Sequence, residues 1–175
     1  TGYFTIHAPV GSNWGLGGTF LMDNVSFLRR TSGAISVSYG VSIRENHKLT
    51  FGVSGNMMQS TINASSAIVD DMTDQVIAMG QQRGMGFDTE LGILYESNKF
   101  QFGISIPQLL ENEMQFSELP AGGYANERHL VVFTSYGLNI NDQWQLSPSI
   151  LFKDFKLTSS QLDLNLMMCY NDQLK

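Results

Sequence analysis

The residues of this sequence that could do acid–base chemistry are carboxylates on polar strand positions. Asp88 and Glu90 are separated by one residue, Thr89, so both side chains lie on the same face of a strand. Asp163 lies in a second strand. Paired carboxylates of this kind catalyse glycoside hydrolysis. Their surroundings, rich in Ser, Gly and Asn, instead favour lumen-facing residues that line a wet interior and form ion pairs. The available cations are Lys48, Arg44 and Lys153.

The histidines are weaker candidates for a functional site than these carboxylates. His7, His47 and His129 lie far apart, without the spacing of metal ligands. A serine–histidine hydrolase on a barrel wall is a further alternative, but serines occur on every polar face, so no pair can be singled out. We therefore predict no catalytic residue, no cofactor and no metal site.

Two short motifs resemble ligand-binding loops but miss the required pattern. Gly15–Gly18 reads GLGG, lacks the Lys and Ser/Thr of a phosphate loop and precedes no helix. Asp70, Asp71 and Asp74 do not have calcium-loop spacing, because Gln75 stands where glycine is needed. We interpret the first as close strand packing and the second as a solvated acidic loop.

Composition narrows the class of protein. Only 15% of the 175 residues are charged, against roughly 25% in soluble domains, and the net charge is −6. An acidic chain without basic clusters is not expected to bind nucleic acid. No apolar run approaches the ~20 residues of a membrane helix. The single cysteine, Cys169, excludes an internal disulfide framework.

Strict alternation of apolar and polar residues is the strongest pattern in the chain. In Gly33–Arg44 the apolar Ile35 and Val37 alternate with Ser36 and Ser38, which indicates a strand with two unlike faces. About nine such strands are predicted in all. Besides Gly33–Arg44, they are Gly2–Ala8, Trp14–Asp23, Lys48–Met58, Gly86–Tyr95, Lys99–Ile106, His129–Leu138, Gln143–Phe152 and Ser160–Tyr170. Val131 and Phe133 interrupt a polar face, and Pro148 suggests a bulge or a rim position.

The connections between these strands alternate in length. The short ones, rich in turn residues, are Pro9–Asn13, Glu45–His47, Glu96–Asn98, Asn139–Asp142 and Asn171–Asp172. The long ones are Asn24–Ser32, Ile62–Met85, Pro107–Asn126 and Asp154–Ser159. Within Ile62–Met85, a short helix is as good an interpretation as a plain loop, because one helical face would collect Ile68, Met72, Val76 and Met79. Tight turns at one end and long loops at the other are typical of outer-membrane barrels.

Alternation does not say whether the apolar face points inward, as in a soluble barrel, or outward toward lipid. The polar face carries few Lys or Glu residues, whereas a water-exposed sheet usually carries many. Aromatic residues also gather near the short turns, as at a membrane interface. These are Trp14, Tyr95, Phe100, Trp144 and Tyr170. We therefore predict an all-β, antiparallel up-and-down transmembrane β-barrel.

Several segments, in order along the chain, carry a family resemblance. TIHAPV at Thr5–Val10 precedes NWGLGGTFLMD; SIPQLLEN occupies Ser105–Asn112; ERH at Glu127–His129 opens a strand that continues to SYGLNI; Asn141–Leu146 and SPSILFK follow. Together they resemble the PorP/SprF family of type IX secretion system membrane proteins, and SIPQLLEN is the most specific piece.

The resemblance implies a bacterial outer-membrane barrel without enzymatic activity. Its expected partners are outer-membrane lipid, type IX secretion components and secreted cargo proteins such as gliding adhesins. We expect residues 1–175 to form one barrel domain, incomplete at both ends, because family members have a segment before TIHAPV and more strands after Asn171. The odd strand count agrees with that expectation, since single-chain bacterial barrels usually have an even number.

The resemblance also selects residues at one rim. We expect Ser105 to face the lumen, Ile106 to face lipid and Pro107 to end the strand, since proline has no N–H. Arg128 and His129 start the next strand from the same rim and are interpreted as bracing the loop. The motif residues are Ser105, Pro107, Leu110, Glu111, Asn112, Arg128 and His129, and the lumen-facing polar residues are Lys48, Asp88, Glu90 and Asp163. The alternative function is an outer-membrane channel or ligand-transport barrel.

Overall fold

The fold is taken from a computed structural model, which describes residues 1–63, 81–116, 124–125, 127–141, 143–155 and 159–170. Every regular element in these ranges is a β-strand. The strands are β1 (Gly2–Val10), β2 (Trp14–Val25), β3 (Leu28–Arg44), β4 (His47–Asn63), β5 (Gln81–Ser97), β6 (Phe100–Ile106), β7 (Glu113–Phe116), β8 (Tyr124–Ala125), β9 (His129–Tyr136), β10 (Leu138–Asn139), β11 (Trp144–Phe155) and β12 (Gln161–Tyr170).

The strands form one antiparallel sheet in which neighbours in sequence are mostly neighbours in space. Its order is β1-β2-β3-β4-β5-β6-β9-β11, with β12 paired to β11 and the short β7, β8 and β10 attached at the side. The prediction of an all-β, up-and-down antiparallel fold is confirmed. Within the described residues the sheet is open, with β1 and β12 at its two ends. None of these residues forms a helix long and apolar enough to cross a membrane.

The two faces of the sheet differ as the alternation predicts, and the apolar face is the exposed one. Ile35 is 73% exposed and Leu164 is 72% exposed. The hydroxyls of Ser36 and Ser54, on the other face, lie 2.8 Å apart in a hydrogen bond. One cavity on this polar face is lined both by Tyr3 of β1 and by Gln108 beyond β6. Strands β2 to β6 separate Tyr3 from Gln108 in the sheet. Both residues can line one cavity only if the sheet curls with its polar face inside. We call the polar side the inner face and the apolar side the outer face.

The connection between β2 and β3 is much shorter than predicted. Asn24–Ser32 was expected to be a long loop, yet Val25 pairs with Leu28, so the turn consists of Ser26 and Phe27 alone. Ser26 has φ of 53°, and a positive φ is what a two-residue hairpin turn requires. The polar run that suggested a loop instead continues both strands, with Asp23 opposite Arg30.

Pro148 does not form the bulge that its position suggested. It pairs with Leu166 of β12 without a register shift. On its other side, β9 pairs with β11 only as far as Ser149, while β10 pairs with Gln145 and Leu146. Pro148 thus lies in the gap between β9 and β10, where no ladder hydrogen bond needs its missing N–H. The register shift of the sheet lies instead between β3 and β4, at Ser42–Arg44.

Two other long connections also differ from the prediction. Because β4 extends to Asn63 and β5 begins at Gln81, both ends of the predicted loop Ile62–Met85 belong to strands. The predicted loop Pro107–Asn126 contains the short strands β7 and β8. The suggested helix and the acidic cluster Asp70, Asp71 and Asp74 lie outside the described residues, as do residues 156–158 and 171–175.

Aromatic side chains form a band on the outer face near the short turns. The rings of Trp14 and Tyr39 have centroids 4.8 Å apart, as do those of Trp144 and Tyr170. Tyr95 and Phe100 continue the band, with ring centroids 6.3 Å apart. In addition, the Tyr95 hydroxyl lies 2.6 Å from Nδ1 of His47. Amphipathic rings arranged in this way suit a boundary between an apolar medium and water.

The unlike faces predict opposite effects at adjacent positions of β12. Leu164→Arg places a charge on the outer face and should cost about 2–4 kcal/mol of folding free energy in a bilayer. Asn165→Arg places the same charge on the inner face and should leave folding nearly unchanged. The measurement is the yield of folded protein in lipid vesicles, read by electrophoretic mobility. Equal losses for both variants would contradict an apolar environment at the outer face.

Candidate functional site

The strand β5 is longer than the strands that pair with its second edge. It has 17 residues, whereas β6 has 7. Strand β6 pairs with β5 only from Leu91 to Glu96, and β7 pairs with Gly84 and Met85. Between these two ladders, residues 86–90 of β5 pair with β4 on one edge but with no strand on the second edge. Their main-chain groups on that second edge therefore need other partners.

The loop that follows β6 supplies these partners. The N–H of Leu109 donates to the carbonyl oxygen of Thr89 over 2.9 Å. The side-chain amide of Asn112 donates to the carbonyl oxygen of Phe87 over 2.6 Å. We call residues 107–112 the clamp loop, because they hold the edge of β5 without forming a strand.

Asp88 joins the clamp loop to the inner face. The residue is buried, with 5% of its surface exposed. Its Oδ1 accepts hydrogen bonds from the N–H of Leu110 over 3.0 Å and from the N–H of Thr89 over 2.7 Å. Its Oδ2 is buried and has no hydrogen-bond partner among the described residues. Since hydrogen bonds from amides are what offset the burial of a carboxylate, the position of Leu110 is tied to Asp88.

The clamp loop has a compact, strained backbone. Strand β6 ends at Ile106, directly before Pro107. Gln108 has φ of 55° and Glu111 has φ of 50°, a region that side-chain-bearing residues seldom adopt. The N–H of Glu111 donates to the carbonyl oxygen of Gln108 over 3.2 Å. Such strain persists only where surrounding contacts hold it, and here Asp88 and Thr89 make those contacts.

The segment before β9 meets the clamp loop through an ion pair. The guanidinium of Arg128 lies 3.7 Å from the carboxylate of Glu111, and both side chains are partly exposed, at 40% and 36%. His129 points elsewhere. Its ring stacks on Phe155, with centroids 4.5 Å apart, and its Nδ1 lies 3.2 Å from the carbonyl oxygen of Glu127. The structure therefore brings Arg128, but not His129, to the loop.

The residues expected in the lumen lie on inner-face positions but do not gather. Lys48 is opposite Glu96, and Glu90 is opposite Ser54. Asp163 lies 3.9 Å from Lys153, one of the cations considered for it. Asp88 takes backbone amides in place of a cation. Among the described residues, no group of three or more His, Cys, Asp and Glu side chains is placed to hold a metal ion.

Sequence reasoning missed the role of Asp88 as the anchor of the clamp loop. Asp88 was read only as a polar lumen position, because its alternation with neighbours is regular. The signal that could have found it is the length mismatch between β5 and a β6 that Pro107 ends early. Where a strand is longer than its neighbour, a buried hydrogen-bond acceptor beside the unpaired edge can hold the connecting loop.

The whole chain, residues 1–175, matches the family described as type IX secretion system membrane protein PorP/SprF. The chain belongs to this family. The exposed apolar face and the aromatic band agree with a membrane protein. No curated protein matches the chain.

Removal of the Asp88 carboxylate should release the clamp loop while β4 and β5 stay paired. Asp88→Ala leaves the N–H groups of Leu110 and Thr89 without their acceptor, at a cost of about 1–3 kcal/mol each if they stay buried. We expect faster hydrogen exchange in a peptide that covers residues 106–112, measured by mass spectrometry.

Glu90→Ala is the matched control, since Glu90 lies on the same strand and the same face but makes no contact with the loop amides given above. It should leave exchange in residues 106–112 unchanged. Equal exchange in Asp88→Ala and the unaltered protein would show that the loop is held by other contacts.

Proposed function

We propose that this chain is a non-enzymatic outer-membrane β-barrel that supports type IX secretion or the surface attachment of secreted cargo. The observation that carries the proposal is the family match over all 175 residues. The outer face supports it independently, because an exposed apolar sheet of this extent requires lipid or a similarly apolar partner.

A bacterial outer membrane is the location that best fits a β-sheet of this kind. Strands with an apolar outer face, a polar inner face and aromatic rings near tight turns are characteristic of barrels in that membrane. We propose that the aromatic band around Trp14 and Trp144 marks the periplasmic boundary. The clamp loop would then lie toward the external rim, where cargo and partner proteins pass.

The clamp loop and Arg128 are proposed to brace this rim. One main-chain bond to β5, the bond from the Asn112 side chain to β5, the Asp88 anchor and the ion pair between Glu111 and Arg128 all hold the same loop. A fixed loop presents Leu110, which is 50% exposed, in a constant position. We propose that type IX components recognise this rim and that the inner-face residues Lys48, Glu90 and Asp163 set the polarity of the interior.

A passive channel or ligand-transport barrel is the second candidate function. Its support is the inner face, where cavities of about 400 Å³ and 300 Å³ lie over strands rich in glycine. A channel would take up solute in liposomes without any secretion partner, whereas a secretion accessory would not need to.

The leading proposal predicts stable association with other membrane proteins. Full-length protein purified in mild detergent from its own cells should bring type IX components or secreted cargo with it, identified by mass spectrometry. It should also stay in the membrane fraction after a salt wash. Recovery as a soluble protein without detergent would end the proposal, and solute uptake by the protein alone would favour the channel.

A charge swap separates bracing from direct contact with cargo. Arg128→Glu should lower secretion of cargo, while the exposed ion pair contributes only about 0–1 kcal/mol, so the fold should survive. Adding Glu111→Arg restores an ion pair of reversed sign and should restore secretion if the pair braces the loop. Secretion that stays low in the double variant would mean that Arg128 or Glu111 contacts a partner directly.

A further inference from the structure

A concave cavity of about 400 Å³ lies on the inner face beside the turn between β1 and β2. Volumes of this size accommodate small ligands. Its lining includes the imidazole-bearing His7, the ammonium-bearing Lys48 and the hydroxyl-bearing Ser36, Ser38 and Thr50. Among the described residues, this lining has one cationic side chain, that of Lys48, beside hydroxyl-bearing side chains and apolar ones such as Trp14 and Leu16, and it has no carboxylate.

Lys48 reaches the cavity because Gly40 has no side chain. A β-carbon at position 40 would collide with Cε of Lys48 and would lie 3.1 Å from its Nζ and 3.3 Å from Oγ1 of Thr50. The end of the lysine stem therefore occupies the space over Gly40, and the Thr50 hydroxyl borders the same space. Gly40 is buried beneath it.

Lys48 differs from the lysine of the opposite half of the inner face. Lys153 is matched by Asp163, with 3.9 Å between ammonium and carboxylate. Glu96, the residue opposite Lys48, instead accepts a hydrogen bond from the side chain of Gln101 over 3.3 Å. No carboxylate among the described residues lies within ion-pair distance of Lys48, so its charge is available to a ligand.

The polar wall of the cavity also has unused hydrogen-bonding capacity. Oγ1 of Thr50 is buried without a hydrogen-bond partner in the described part of the chain. Ser38 places its Oγ over Gly15, where an added β-carbon would stand 2.6 Å from it. The turn that closes the cavity is fixed, because Asn13 bonds Gly40 twice, through its carbonyl oxygen at 2.7 Å and its side-chain amide at 2.7 Å.

We propose that this cavity is a binding site for an oxyanion, meaning a carboxylate, phosphate or sulfate group. Lys48 supplies the charge, and the hydroxyl of Ser38 donates a hydrogen bond to an anion oxygen. The Thr50 hydroxyl donates a second one once the flexible end of Lys48 has turned toward the anion. Charge-assisted hydrogen bonds of this kind are the strong ones in proteins. The open inner face makes the site a weak, rapidly exchanging one, which suits a solute in transit or an acidic side chain of a passing polypeptide.

Inorganic phosphate is the first probe, added to the full-length protein in a non-ionic detergent. Binding broadens the phosphorus NMR line of free phosphate in the millimolar range. Lys48→Gln should weaken this binding about tenfold, since one charge-assisted contact is lost. Lys153→Gln is the matched control, because it removes an inner-face lysine that already has a carboxylate partner, and it should leave the broadening unchanged.

Gly40→Ala tests geometry at constant charge. The added methyl displaces the flexible end of Lys48 and shifts the Thr50 side chain by a few tenths of an ångström, so the strand should fold as before while phosphate binding falls. A pair of short peptides that differ in one Glu or Gln then separates the two sources of the anion. Broadening by phosphate alone indicates a solute, and binding of the Glu peptide as well indicates an acidic polypeptide.

Three results would overturn the site: phosphate binding that survives Lys48→Gln, equal losses with Lys153→Gln, or no line broadening by the unaltered protein. Equal losses in the two lysine variants would mean that phosphate responds to the overall charge of the interior and not to a site at Lys48. These measurements use purified protein without secretion partners, so they stand or fall separately from the proposed role in secretion.

Discussion

The pairing of main-chain N–H and C=O groups is the constraint on which the rest of this structure depends. In lipid no water is available to replace a missing partner, so each strand must find its bonds within the protein. Long strands satisfy this need along β3, β4 and β5, where ladders run almost from end to end. Within the described strands, β5 has a stretch, residues 86–90, whose second edge pairs with no strand, and the clamp loop closes it. Its contacts with Asp88 follow from the same need.

Alternation in the sequence was enough to predict the sheet, its antiparallel order and the position of most strands. It succeeded because a sheet with unlike faces repeats every two residues, and apolar residues such as Ile35 and Leu164 keep that period without interruption. It failed at Asn24–Ser32, where polar residues continue both strands to a two-residue turn. Polarity alone does not mark a loop, because here polar residues continue the ladder on both faces, with Arg30 on the inner face and Arg29 beside Met22 on the outer face.

The candidate site was only partly predictable, because its geometry depends on strand lengths and not on residue type. The SIPQLLEN motif covers the end of β6 and the clamp loop, and β6 ends directly before Pro107 as predicted. The hydrogen bond from the Leu110 N–H to Asp88 could not be predicted from local pattern, since it joins β5 to a loop 22 residues further along the chain. A residue that looks like one of many polar lumen positions becomes an anchor only when the neighbouring strand stops short.

The inner face has an apolar region and a polar region, and glycine residues determine where long side chains lie on each. Between β5 and β6, a β-carbon at Gly103 would lie 3.4 Å from Cδ1 of Leu94 and 3.9 Å from Cβ of Phe133. The missing side chain lets these apolar groups lie flat on an otherwise polar surface. Near β3 and β4 the same device, at Gly40, makes room for a lysine. Glycine thus decides which long side chains rest against the inner wall, namely Leu94 near Gly103 and Lys48 over Gly40.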